Sequence, residues 1–365
     1  MQTGESLFQI CKGGVEMSSE LFLVMLAALF AALFAWAFRA LPREHWQILA
    51  AVPQRKNETG EWQGLNLTFY GFFQATSNAL GVAVLFVLLG MVAVPPVAIL
   101  SLILFVFLLC WPAARLVARV VEKKAHTFTI GGALFIGVLA MPWIIVLLNK
   151  SLHSGNQVPV LPALAAAAIA YAYGEGLGRL ACISFGCCYG KRVTELSPRL
   201  RRWFDPLSFT FAGETKKAAY AGGLDGVRVV PVQAITSVVF ITIALVGTYL
   251  FLSSRFNAAL LLTMAATQLW RFLSEKLRAD ARGKAETVSA YQVMALLMVL
   301  YAAAMAYAFS GTSFPSTVIT DGLRALWNPA VMLFCQGIWL AVFLITGRSS
   351  VTGSTVSFFV RQDRI

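Results

Sequence analysis

Charged residues are scarce in this sequence. Asp, Glu, Lys and Arg together make up 13% of its 365 residues, whereas soluble proteins carry about 25%. This scarcity excludes an ordinary soluble domain. Hydrophobic residues reach 58% and form runs of about 20 residues, the length at which an α-helix crosses the ~30 Å hydrocarbon core of a bilayer. Short alternating strands of the kind found in membrane barrels are missing, so the sequence predicts an all-α, polytopic transmembrane helical bundle.

Acidic residues are scarcer than basic ones, with 17 Asp and Glu against 29 Lys and Arg and a formal net charge of +12. The apolar runs hold few of these charges, so the positive excess lies in the loops, where it would meet anionic lipid head groups. Nucleic acid is not expected as a partner, because the basic residues are divided among short loops and are not gathered in one domain.

Cysteine is also sparse. The six cysteines, at positions 11, 110, 182, 187, 188 and 335, are too few and too scattered for a disulfide scaffold. Three of them are close in sequence, yet a thiolate metal site usually has four ligands, and no histidine or fourth cysteine stands near them. We therefore expect neither a metal nor another cofactor.

Nine apolar runs predict nine spans. They divide the chain into an N-terminal span with a polar connector (1–66), a seven-span membrane core (67–309) and a C-terminal span with a tail (310–365), and a basic arm (191–228) interrupts the core. No period of 20–50 residues repeats, which argues against a duplicated transporter. The predicted spans cover approximately residues 21–38, 67–92, 96–112, 126–148, 159–184, 231–252, 258–272, 289–309 and 329–346.

The stretch 174–191 has the highest density of unusual residues in the chain. Its glycines at 174, 178, 186 and 190, with Cys182 between them, recur every four residues, which predicts a ridge of small residues along one helix face. Glu175 and Arg179 are also four apart, so they can form an ion pair. Charges at membrane depth are costly and usually functional, although a tight helix crossing with an arginine reaching the interface is the alternative.

Three segments of the chain resemble the prolipoprotein diacylglyceryl transferase family. The stretch from Gly178 to Gly190 is similar to the family signature, in a Gly-Cys-Cys-Tyr-Gly-Lys form typical of distant members. The segment from Arg271 to Arg278 is similar to the family pattern Arg-x-x-x-Glu-x-x-Arg. Pro231-x-Gln233, just before a span, matches the centre of a third family segment. The resemblance covers roughly residues 68–308 and indicates a divergent member. The residues that carry it outside the signature are Tyr70, Gly71, Gly131, Gly132, Pro231, Gln233, Arg271, Glu275 and Arg278.

The resemblance implies a reaction in which the thiol of a lipoprotein-precursor cysteine displaces the head group of phosphatidylglycerol. Arg179 and Arg271, on different spans, would then clamp the phosphate, and Glu275 would hold Arg271 in position from the same helix face. An ion-pair network that only ties two spans together is the alternative. Substrate contacts are expected from Tyr70, Gly131, Gly132, Cys182, Cys187, Tyr189, Gly190, Gln233 and Arg278.

Several positions depart from the family pattern. Ile130 stands where members usually carry a histidine proposed as the general base, and isoleucine cannot accept a proton. His126 lies one helical turn earlier and is our candidate for a substitute base, with interfacial packing as the alternative. Cys182 and Cys187 replace an asparagine and an acidic residue. Cys187 or Cys188 could also act as a nucleophile next to basic residues.

The functional hypothesis is a multi-pass lipid transferase of the bacterial cytoplasmic membrane, which acts on phosphatidylglycerol or another anionic phospholipid and on lipobox-containing precursors. The alternatives are a non-catalytic phospholipid-binding or lipid-transporting protein, supported by Ile130, and a small-solute channel or carrier. Two orientations also remain open. The positive-inside rule places the basic loops in the cytosol, whereas the family resemblance places the ends of the spans that carry Arg179 and Arg271 toward the outer leaflet.

Overall fold

The computed structural model describes residues 19–122, 130–151, 157–280, 289–310 and 316–365. In these ranges nine helices have 18 or more residues, and three shorter helices lie in the segments between them. The long helices are α1 (Ser19–Ala40), α2 (Phe69–Met91), α3 (Pro96–Val117), α4 (Ile130–Ser151), α5 (Val160–Phe185), α8 (Val232–Leu252), α9 (Phe256–Ser274), α10 (Ala290–Ala308) and α12 (Pro329–Thr346). The short ones are α6 (Pro198–Phe204), α7 (Lys217–Tyr220) and α11 (Ile319–Leu326).

The predicted polytopic helical bundle is confirmed. Eight of the long helices are long and apolar enough to cross a membrane, and α5, the most buried of them, packs against α2, α8 and α9. The exception in composition is α9, because Thr263, Thr267 and Gln268 are buried on it and Arg271 lies in its last turn. Its 19 residues still rise about 28 Å. Helix α9 is therefore less apolar than the other long helices because it carries polar groups into the bundle.

The polar connector and the C-terminal tail form a sheet that the sequence analysis did not predict. Strands β1 (Ile48–Lys56), β2 (Trp62–Thr68) and β5 (Arg348–Val356) pair antiparallel in the order β1-β2-β5; two short strands, β3 (Phe209–Thr210) and β4 (Arg228–Val229), pair in the arm. Thr68 caps α2 and donates its hydroxyl to the carbonyl of Gly347, at 3.0 Å. The N- and C-terminal additions thus meet, while the division into three segments remains a prediction.

Gly71 marks the closest backbone approach at this junction. A Cβ atom added to Gly71 would lie 2.0 Å from the Cα of Gly347, and backbone atoms cannot move aside as a flexible side chain can. We expect Gly71→Ala to destabilise the protein by at least the about 1–3 kcal/mol typical of overpacking. Thermal unfolding in detergent measures the effect. Gly337→Ala on α12 is the matched control, since no atom lies within 4 Å of its added Cβ; equal melting temperatures for the two variants would contradict the prediction.

The basic arm is folded onto the connector. Lys216 is fully buried, and its Nζ donates to the carbonyl oxygens of Leu41, at 3.1 Å, and Ser184, at 2.7 Å. Gln47 and Thr215 exchange two hydrogen bonds of 2.7 and 2.8 Å. Burial disfavours the charged ammonium and lowers the pKa of Lys216 to about 8, although the charge of Glu44 opposes this. The arm therefore covers the carboxyl end of α5, where the signature begins to leave the helix.

The carboxyl ends of α5 and α9 lie together at one end of the bundle, which we call the site end. Tyr189 accepts a backbone hydrogen bond from Ala279, at 3.0 Å, and the amide of Lys191 donates to Leu277, at 2.9 Å. The sheet and the arm lie at this end too, through the contacts just described. The opposite end is joined separately, where the Thr317 hydroxyl donates to the carbonyl of Leu252 at 2.7 Å.

Candidate active site

Two arginines from different helices share one carboxylate at the site end. Glu175 on α5 is 7% exposed, and its Oε1 pairs with Nη2 of Arg179 one turn later, as the spacing predicts. The same oxygen lies 3.8 Å from Nη1 of Arg271 on α9. Nη1 of Arg271 also donates to the hydroxyl of Tyr171, at 3.0 Å. Arg179 and Arg271 thus meet across the α5–α9 contact, inside the bundle.

Glu275 does not hold Arg271 in position, which is the role that the sequence analysis predicts for it. Helix α9 ends at Ser274, Glu275–Leu277 forms a 3₁₀ turn, and Arg278 is extended, with φ −86° and ψ 150°. Arg271, Glu275 and Arg278 therefore do not share one helix face. Among the described residues Glu275 forms no ion pair, and the carboxylate next to Arg271 belongs to Glu175.

Arg278, which the sequence analysis predicts as a substrate contact, is well enclosed. Its side chain is 8% exposed. Asp280 holds it in a two-pronged ion pair, in which Nε and Nη2 donate to the two carboxylate oxygens at 2.7 and 2.6 Å. A third guanidinium group is therefore fixed at the site end.

The predicted ridge of small residues is shorter than its four-residue spacing suggests. Helix α5 ends at Phe185, and Gly186 adopts a left-handed conformation with φ +71°, so the ridge does not continue to Gly190. Cβ atoms added to Gly174 and Gly178 would lie 3.3 and 3.2 Å from the backbone and hydroxyl oxygens of Ser77 on α2. The ridge therefore lets α2 approach α5 closely.

Gly190 has a separate role at the end of the signature. It pairs with Arg278 in a short antiparallel bridge, and an added Cβ would lie 2.4 Å from the carbonyl oxygen of Val230. A side chain at this position would push the loop away from α8 and loosen the bridge. Gly190 thus holds the backbone that carries Arg278 against the signature.

Three thiols meet where the chain leaves α5. Gly186 and Cys188, with φ +71° and +56°, are both left-handed and fold the chain back on itself. As a result the Sγ atoms of Cys182, Cys187 and Cys188 lie within 4.8 Å of one another. Gln233 at the start of α8 fixes this loop, because its Nε2 donates to the carbonyl oxygen of Cys187 at 2.7 Å.

The three arginines line a narrow cleft of ≈ 10 Å³, about the smallest cavity volume that admits one water molecule. Two polar atoms at the cleft, Nε of Arg179 and Oε1 of Gln233, are buried and have no hydrogen-bond partner among the described residues. A buried polar atom without a partner is costly, so Nε of Arg179 favours a ligand group that accepts a hydrogen bond, and Oε1 of Gln233 favours one that donates. The cleft is lined by Arg179, Cys188, Val232, Gln233, Thr236, Trp270, Arg271, Ser274 and Arg278.

The remaining predicted site residues that the structure describes lie on several elements and do not line the cleft itself. Tyr70 packs its ring 5.6 Å from that of Phe185 and lies within electrostatic reach of the thiols. Tyr189 is buried and packs next to Gly222. Gly131 and Gly132 begin α4, whereas His126 lies outside the described residues.

Sequence reasoning missed two partners of the arginines, Tyr171 and Asp280. Tyr171 stands four residues before Glu175, a spacing that places both on one helix face, so a signal for it was present. Asp280 follows Arg278 by two residues in extended chain, where no periodic pattern points to an ion pair.

Gly131 gives Arg271 its room. An added Cβ would lie 2.8 Å from Nη2 of Arg271 and 3.0 Å from the ring of Tyr291. We expect Gly131→Ala to displace the guanidinium from Tyr171 and Glu175, and so to lower the affinity of the cleft for an anionic ligand about tenfold, equivalent to the about 1.4 kcal/mol of one charged hydrogen bond. Anion binding to the purified variant measures this. Gly337→Ala should bind like the parent, and unchanged binding in Gly131→Ala would contradict the prediction.

The chain is similar to one known protein family over the helices that form the cleft. A family model described as prolipoprotein diacylglyceryl transferase matches residues 60–308, about two thirds of the chain. The chain belongs to the prolipoprotein diacylglyceryl transferase family. No curated protein and no solved structure is significantly similar to it.

Membership confirms the family that the sequence motifs indicated. Together with the eight apolar helices it makes the chain a multi-pass membrane protein of a lipid transferase family. The match contains every arginine of the cleft and leaves α1, β1, α11, α12 and β5 outside. In this member of the diacylglyceryl transferase family, the segments outside the match form two strands of the sheet at the site end.

Proposed function

We propose that the protein transfers a diacylglyceryl group from phosphatidylglycerol, or a closely related anionic phospholipid, to the cysteine thiol of a lipoprotein precursor in the bacterial cytoplasmic membrane. The observation that carries the proposal is the meeting of Arg179, Arg271 and Arg278 at one cleft. They face two carboxylates, Glu175 and Asp280. Counted over the described residues, three guanidinium groups and two carboxylates leave one positive charge, which matches the single negative charge of a phosphodiester.

The reaction depends more on positive charge next to the phosphate than on a covalent intermediate with the enzyme. The acceptor sulfur forms a bond to the glyceryl carbon while the bond from that carbon to the phosphate oxygen breaks, and glycerol phosphate leaves with the electron pair. Negative charge therefore accumulates on the phosphate oxygens as the bond breaks. Fixed arginines at a site away from water stabilise that charge strongly, and their planar donors match two phosphate oxygens at once. The Nε–H of Arg179, which has no described partner, supplies a further donor.

Entry of a head group requires side-chain movement. The cleft of ≈ 10 Å³ holds no phosphate as it stands, so the guanidinium groups must rotate away from their carboxylates when the lipid binds. In this proposal the phosphate replaces Glu175 as a partner of Arg271, whose ion pair with Glu175 is the longer one, at 3.8 Å. The shared carboxylate would hold the arginines together until the lipid arrives.

A second candidate function is phospholipid binding without transfer. The observation that favours it is Ile130, which cannot take the proton that leaves the acceptor thiol. The candidate base, His126, precedes Ile130 by four residues, and its role remains a prediction. The two functions share the arginine cleft and differ only in whether glycerol phosphate is released.

One assay separates the two functions. Purified full-length protein is incubated with labelled phosphatidylglycerol and a lipobox peptide, and both the lipidated peptide and glycerol phosphate are quantified. If the protein transfers the group, the two products form in equal amounts, and the His126→Ala variant forms neither. The variant His45→Ala, at an exposed position, is the control and should form both. Binding that depends on Arg179 without either product selects the second function. Full transfer activity in both Arg179→Ala and Arg271→Ala would overturn the arginine assignment.

We place the site end at the outer leaflet, since the proposed reaction occurs outside the cytosol. The arm exposes Lys191 and Lys217 at this end, where basic side chains would gather anionic lipid. A membrane-impermeant amine reagent added to spheroplasts should therefore modify both lysines. If they react only after lysis, the positive-inside orientation is the correct one.

A further inference from the structure

The proposed transfer uses none of the three thiols at the end of α5 as a catalytic group, and the substrate contacts of Cys182 and Cys187 remain predictions. Cys182 comes from the last turn of the helix, and Cys187 and Cys188 come from the loop that the two left-handed residues fold back. All three Sγ atoms lie within 4.8 Å of one another, and all three residues are partly buried. The fold-back of the backbone at Gly186 and Cys188 thus brings the three residues together at the end of α5.

We propose that Cys182, Cys187 and Cys188 bind one soft metal ion, and that Cu(I) in three-sulfur coordination fits the site best. Thiolate ligands select Cu(I), Zn²⁺ and iron–sulfur clusters. Structural zinc sites are almost always four-coordinate. Among the described residues no fourth cysteine, histidine or carboxylate joins the group, which favours an ion that is stable with three sulfur ligands.

The distances agree with this assignment. A metal–sulfur bond of about 2.3 Å in a flat triangle requires sulfur atoms about 4.0 Å apart, from the same bond length. The thiols, within 4.8 Å of one another, reach that spacing if the side chains move by less than about 1 Å. Binding breaks three S–H bonds, releases three protons to solvent and forms three metal–sulfur bonds. Copper enters and stays as Cu(I), so no oxidant or reductant is needed.

The surroundings suit the charge of such a complex. Three thiolates and one monovalent cation carry two negative charges, and both Arg278 and Arg179 act electrostatically on Cys188. Cys188 also lines the arginine cleft, which gives the ion an entry path from the site end. Thiolate sites depend on such outer partners, whose loss typically lowers metal affinity about 10–100-fold.

The test is an anaerobic titration of the reduced full-length protein in detergent with Cu(I) alone, against a chromogenic Cu(I) chelator. We expect one equivalent per chain and an X-ray absorption spectrum with three sulfur neighbours. Cys182→Ser, Cys187→Ser and Cys188→Ser should each weaken binding more than the about 10–100-fold that loss of an outer partner costs. The titration uses no lipid, so its outcome is independent of the proposed transfer.

The chain offers a matched control. It holds six cysteines, and the triple variant Cys11→Ser, Cys110→Ser, Cys335→Ser keeps only the three cluster thiols. This variant should retain the single three-sulfur site at the parent affinity. The proposal is overturned if it binds no Cu(I), or if any single cluster variant, shown to be folded by its thermal transition, binds as tightly as the parent.

Discussion

Arg179→Ala and Arg271→Ala should each lower the transfer rate by about 10²–10³-fold, the usual cost of removing one donor that stabilises developing negative charge. The reason is geometric as well as electrostatic. Both guanidinium groups line the cleft and share Oε1 of Glu175, so loss of either leaves a phosphate with fewer donors and a site with one positive charge less. The rate of peptide lipidation at saturating phosphatidylglycerol measures the effect.

Conservative variants distinguish a catalytic role of the two arginines from a structural role, in which their ion pairs only tie two helices together. Lysine keeps the charge but loses the planar fork, so Arg179→Lys and Arg271→Lys should remain folded and still lose most of the rate. Arg324→Ala, on α11 with an 81% exposed side chain, is the matched control and should keep full activity. If the lysine variants transfer at the parent rate, the arginines hold the helices and do not clamp a phosphate.

Some of this site was predictable because its signals are local. Glu175 and Arg179 pair because four residues advance a helix by about one turn, and that relation is complete within α5. The long apolar runs likewise predict spans, since the requirement for about 20 residues is a property of the bilayer. Neither inference needs knowledge of the neighbouring helices.

The end of α9 was not predictable in this way. Glu275, Lys276 and Leu277 are good helix formers, and no glycine or proline marks a stop there. The helix ends at Ser274 because the following chain instead pairs with the signature, where Gly190 bridges Arg278. A contact between positions so far apart in sequence overrides the local propensity. The same contact explains why Arg278 lies at the cleft and Glu275 does not hold Arg271.

The sheet shows a similar limit. The hairpin β1–β2 has a local turn signal at Gly60, with φ +89°, in a polar segment that was interpreted only as a connector. Strand β5 pairs with β2 across almost the whole chain, where Trp62 faces Val356. No short-range pattern reveals such a pairing, although the Thr and Val residues of β5 favour strands. The sequence analysis considered a metal at the three neighbouring cysteines and expected none for lack of a fourth ligand. The close approach of their Sγ atoms was not predictable, since it requires the positive φ at Cys188.

Glu175→Gln should be the most destabilising substitution at the site. Glu175 is 7% exposed and is the shared partner of Arg179 and Arg271, so the change leaves two buried guanidinium groups that repel each other. Breaking a buried ion pair from one side costs about 3–5 kcal/mol. Thermal unfolding in a non-ionic detergent should show the loss. Glu275→Gln is the matched control, because Glu275 has no described ion pair, and its effect should stay within about 0.5 kcal/mol.

Added lipid distinguishes what this carboxylate does. If it holds the arginines for a phosphate, an anionic phospholipid should occupy its place in Glu175→Gln and restore much of the lost stability, because ligand binding to the folded state shifts unfolding by mass action. Phosphatidylglycerol should therefore raise the melting temperature of Glu175→Gln more than that of the parent, whereas zwitterionic phosphatidylcholine should raise both equally. Equal shifts with both lipids would mean that Glu175 neutralises a structural charge cluster, and that the arginine cleft is not a phosphate site.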